Sequence, residues 1–208
     1  MKLYVDDRLL GEAGGDTPLN LDTILDRLQD QGQVPEDRII VAVQVDNRRI
    51  DPAVDDIGLM SVLPNDTKIF RVVTESVAVL LQDALEDGRA AFEVIAKASG
   101  DAVKKLRGGN MPDALKFFGK LMERIQSTME YWTELRGQLE AYSPDFRFGP
   151  VEGLLERFRK SLSDAVGFQQ DGDWVMLADT VEYEFVAIFE EFQKLVAGFA
   201  DEITVGSD

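Results

Sequence analysis

Apolar and polar residues follow one period up to about residue 75 and another after it. Leu3 and Val5 alternate with Lys2, Tyr4 and Asp6, the two-residue period of a half-buried strand. Asp6-Asp7 predicts a turn into a second short strand through Leu9-Leu10, and Gly14-Gly15 breaks the chain before Thr17-Pro18. Leu21, Ile24, Leu25 and Leu28 recur at helical spacing, with Asn20 or Thr17 as N-cap candidates and Gly32 as the stop. Residues 39–45 are a β-rich run, and Asp46-Asn47 can turn the chain so that Arg48, Arg49 and Ile50 return as a hairpin. Pro64-Asn65-Asp66-Thr67 predicts a turn into a last strand over 68–73.

From residue 76 the period is helical. Val77, Leu81, Ala84, Leu85, Gly88, Ala91, Phe92, Ile95, Ala102, Val103 and Leu106 form one stripe, with Ser76 as a cap and Gly108-Gly109 as the end. Such a helix would be about 45 Å long, with Ser99-Gly100 as a place to bend. Pro112 suits the first turn of a second helix, whose stripe runs Leu115, Phe118, Leu121, Met122, Ile125, Met129, Trp132, Leu135 and Leu139. The stretch 142–150 is the clearest break. A third stripe follows through Val151, Leu154, Leu155, Phe158, Leu162, Ala165 and Val166. The fourth runs Trp174, Leu177, Val181, Phe185, Ile188, Phe192, Leu195 and Phe199. Helices two and four align at an offset of 63, pairing Met111 with Trp174, Phe118 with Val181, Ile125 with Ile188 and Met129 with Phe192, each behind a Gly-Asn or Gly-Asp pair. Short loops and four stripes predict two helical hairpins in an antiparallel four-helix bundle over 76–208.

The order strand, strand, helix, strand, strand, strand resembles the β-grasp of the small ubiquitin-like sulfur carriers. The residues that carry the likeness are the opening strand, the helix around Leu21 and Leu28, the turn from Val45 to Ile50, and Asn65-Asp66-x-x-Ile69. The resemblance covers residues 1–75 and implies a β-grasp-like domain there, so the expected fold class is α+β. In that family the working part is a C-terminal Gly-Gly. Here the last strand is followed by Thr74-Glu75-Ser76-Val77, with no glycine pair. Carrier chemistry is therefore not expected, and Gly108-Gly109 reads as an interhelical loop.

The 208 residues include no histidine and no cysteine. Ser-His-Asp and Cys-His catalysis, zinc sites built on His or Cys, and dithiol redox chemistry are thereby excluded. Acids outnumber bases 39 to 22, a net charge of −17. Cut at residue 75, the halves hold 15 acids against 8 bases and 24 against 14, so both are acidic. That field opposes nucleic acid and anionic membranes as partners. Asp179, Glu182, Glu184, Glu190 and Glu191 crowd the fourth helix. A carboxylate-bridged metal bundle needs histidines as well, so these acids read as a solvated face, with an all-oxygen Mg²⁺ or Ca²⁺ site as the alternative. Lys104-Lys105 suit the C-terminal end of a helix, and Arg48-Arg49 read as surface. Nucleotide-binding glycine loops and the Gly-x-Ser-x-Gly motif are absent from the sequence.

Neighbouring aromatics widen the helix stripes at Phe117 with Phe118, Tyr131 with Trp132, Phe146 with Phe148, and Phe189. This surplus predicts either packing between the two halves or a groove for a partner helix or a second copy. No apolar run approaches the roughly 20 residues that span a bilayer, and residues 1–7 lack the layout of a secretory signal. The expected protein is a non-enzymatic cytoplasmic adaptor, scaffold or chaperone-like binder. It needs no catalytic residues, cofactor or metal, and it meets protein partners through helix-in-groove or sheet-edge contacts, with homodimerisation open. Two alternatives stand beside it: a degenerate carrier-related protein, and a carboxylate enzyme, with or without Mg²⁺.

Overall fold

The computed structural model describes residues 1–12, 20–50, 63 and 66–205. The chain is mixed α+β, an N-terminal five-stranded sheet followed by helices, and it divides into two compact units, Met1–Leu80 and Leu81–Asp208.

In the first unit the strands are β1 (Lys2–Val5), β2 (Arg8–Glu12), β3 (Arg38–Val45), β4 (Arg48–Ile50) and β5 (Ile69–Ser76). Helix α1 (Leu21–Asp30) lies between β2 and β3 in the chain. The sheet order is β2-β1-β5-β3-β4; β1 and β5 run parallel and the other neighbours antiparallel. Alternation places Val5, Val43, Phe70 and Val72 on one face, where they are buried with Leu21, Ile24 and Leu28 of α1. Gly32 ends that helix in the left-handed region, φ 63. The expected breaks at Gly14-Gly15, Thr17-Pro18 and Pro64-Asn65 lie outside the described residues.

Two aspartates tie this sheet together. Asp6 and Asp46 occupy the β1–β2 and β3–β4 turns with φ of 52 and 50, a conformation Asp tolerates better than most side chains. Each then reaches to β5. Asp46 Oδ1 accepts the N–H groups of Lys68 (2.9 Å) and Ile69 (2.8 Å) where β5 begins. Asp6 accepts the Thr74 N–H and hydroxyl, both at 2.8 Å, towards the other end. Arg38 completes that corner by donating to the Thr74 hydroxyl (2.7 Å) and carbonyl (2.8 Å).

The helices that follow are α2 (Val77–Arg107), α3 (Met111–Tyr142), α4 (Gly149–Asp171), α5 (Trp174–Thr180) and α6 (Val186–Val205). Ser76 remains in β5, and α2 begins at the next residue. Helix α2 runs 31 residues through Ser99-Gly100 without interruption, and Ser99 is fully buried in its stripe. The α2–α3 and α4–α5 turns use one device. Gly109 (φ 83) and Gly172 (φ 71) take the left-handed conformation. Asn110 and Asp173 then cap the next helix by accepting the backbone N–H of Asp113 (3.4 Å) and Met176 (3.0 Å).

The fourth stripe departs from expectation in one respect. Between α5 and α6 lies a single π-helical turn, Val181–Phe185, in which the Val186 N–H reaches back to the Val181 carbonyl. Helix α3 buries Ala114, Phe118, Leu121, Ile125, Thr128, Trp132, Leu135 and Leu139. Ahead of the π turn the matching buried residues are Leu177 and Val181, at the offset of 63. After it they are Phe185, Phe189, Phe192, Val196, Phe199 and Ile203, at an offset of 64. The wide turn holds one extra residue and advances the stripe by one position. Hence Val196, not Leu195, is fully buried, and Trp174 is only half-buried.

The core of this unit is a relay of aromatic rings. It passes from Phe146 through Phe148, Phe199, Trp132, Phe92, Phe192, Phe189 and Phe158 to Phe185, with successive centroids 4.9–6.4 Å apart. Each buried ring contributes about 1.5–3 kcal/mol relative to exposure. Of the aromatics beside the stripes, Phe148 and Phe189 are buried inside the unit, Phe117 and Phe146 are half-buried, and Tyr131 is 37% exposed.

Candidate functional site

The sheet face opposite α1 carries a row with one residue from each strand. Register places Leu9 beside Tyr4, Tyr4 beside Arg71, Arg71 beside Gln44 and Gln44 beside Arg49. Directly paired residues share a face. The Arg71 guanidinium lies 5.2 Å from the centre of the Tyr4 ring and donates to Asp7 at 2.9 Å. Lys2 and Ile69 pair alongside this row. Leu9 and Ile39 are each 50% exposed and Ile69 38%, so this face offers apolar groups among cations.

In the second unit, α2 and α3 border an open groove of about 580 Å³ lined by Asp87, Ala91, Lys120, Glu123, Arg124, Ser127, Thr128 and Tyr131. The Tyr131 hydroxyl donates to the Ala84 carbonyl at 2.7 Å. Burial, then the nearby Asp87 and Glu134 carboxylates, hold its phenol above the usual tyrosine range. Nearer the α2–α3 turn, Lys105 sits 3.7 Å from Asp113 and 5.4 Å from the centre of the Phe117 ring. Lys116, Lys120 and Arg124 follow one another at four-residue spacing on α3, and all three are exposed. None of them joins the eleven ion pairs among the described residues.

The carboxylates of the last helices do not form one cluster. Asp179 and Glu182 converge on Arg107 at 2.7 and 2.6 Å, joining the end of α2 to the π turn. Their hydrogen bonds raise the affinity of that guanidinium for its proton. Glu191 accepts both contacts from Arg157, at 2.9 and 3.1 Å. Glu184 and Glu190 are exposed. Among the described residues no group of three or more acids is placed to hold a metal ion. Lys104 and Lys105 close α2, Arg48 and Arg49 lie in β4, and Gly108-Gly109 form the interhelical turn.

Sequence reasoning missed the cation-rich stretch. Residues 97–124 hold seven Lys or Arg against three Asp or Glu, a net +4 inside a chain of −17. Halving the chain at residue 75 averaged that window into an acidic half. A running charge count would have found it.

No helix among the described residues is long and apolar enough to cross a membrane. No curated protein and no solved structure matches the chain. A family model described as a domain of unknown function (DUF8042) matches residues 83–195, which include the α2–α3 groove and leave out the sheet. Since that match covers more than half of the sequence, the chain belongs to the DUF8042 family.

Proposed function

We propose that this chain is a non-enzymatic cytoplasmic adaptor in which a β-grasp module, joined to an antiparallel four-helix bundle, recognises another protein. The β-grasp reading is supported by the order β2-β1-β5-β3-β4, with parallel central strands and one helix between the two hairpins. The bundle reading is supported by the two Gly-Asx turns, which suit antiparallel neighbours.

The observation that carries the adaptor reading is the row Leu9, Tyr4, Arg71, Gln44 and Arg49. Apolar and guanidinium groups side by side on a sheet are what protein interfaces use, because Arg and aromatic side chains combine contact area with directional hydrogen bonds. The carrier alternative is weakened because β5 passes into α2 without an intervening residue. The carboxylate-enzyme alternative is weakened because Asp179, Glu182 and Glu191 are engaged by arginines.

Photo-crosslinking tests the adaptor reading. A crosslinking amino acid placed at Leu9, on the outer face, is compared with one at Asp26 on α1 in cells that make the protein naturally. A discrete protein adduct at Leu9 alone, lost when Arg71→Glu is added, is expected. Adducts at neither position, or the same ones at both, would reject the sheet face as the binding surface.

A further inference from the structure

We draw no further inference here: the strongest candidate, the solvent-facing side of α5 and the π turn, where Val175, Met176 and Tyr183 are 69%, 43% and 69% exposed and the neighbouring Asp179 and Glu182 are already held by Arg107, carries none because nothing in the structure shows what covers it.

Discussion

Asp6 shows how much one side chain settles in the sheet. It supplies the positive φ of a tight turn, and its two carboxylate oxygens hold the N–H and the hydroxyl of a residue 68 positions away. Thr74 is 3% exposed, so those groups have little water to fall back on. Asp6→Gly keeps the turn and loses the bonds; Asp6→Ala loses the bonds and also forces a Cβ into the left-handed region. We expect urea denaturation to give a loss of about 2–3 kcal/mol for the alanine variant and about 1 kcal/mol less for the glycine variant. Equal losses would mean that the turn conformation adds nothing to the stability. The turn at Asp6-Asp7 was legible in the sequence because turn chemistry is local. The tie from Asp6 to Thr74 was not, since no short-range pattern encodes which strand will lie beside the turn.

The last helical segment makes the same point for an element. Its apolar period fixed a long amphipathic helix, and Leu177, Val181, Phe185 and Ile188 are buried as that stripe predicts. The extra residue of the π turn was invisible, because apolar neighbours such as Ile188 and Phe189, or Leu195 and Val196, fit either offset. A deletion experiment separates the two registers. Tyr183 sits in the π turn and is 69% exposed. Removing it lets the turn close to an α turn, leaving the stripe on either side in place, so a loss under about 2 kcal/mol is expected. Glu190 is also exposed but lies in regular α6. Deleting it rotates everything beyond by about 100°. That swings Phe192, Val196 and Phe199 out of the aromatic core, at a cost of several kcal/mol per large side chain, which exceeds what a domain of this size can lose. Thermal melts of the two deletions should therefore differ sharply, with cooperative unfolding kept in the first and lost in the second. If both behave alike, the π turn does not absorb the extra residue.

At the scale of the whole molecule the net charge of −17 opposes the ion pairs, eleven among the described residues, and salt decides which matters more. Every partner in those pairs is at least 30% exposed. Pairs so exposed contribute little each, and screening weakens them only in part because the charges nearly touch. Repulsion among the surplus carboxylates acts over longer distances. It is felt where the Debye length is about 30 Å, near 0.01 M salt, and largely lost where it is about 8 Å, near 0.15 M. Salt should therefore stabilise the fold, and the melting temperature should rise by a few degrees between those two concentrations. A melting temperature that falls with salt would show that the local ion pairs outweigh the distributed negative charge, and that the molecule is held by its neighbours more than it is strained by its total.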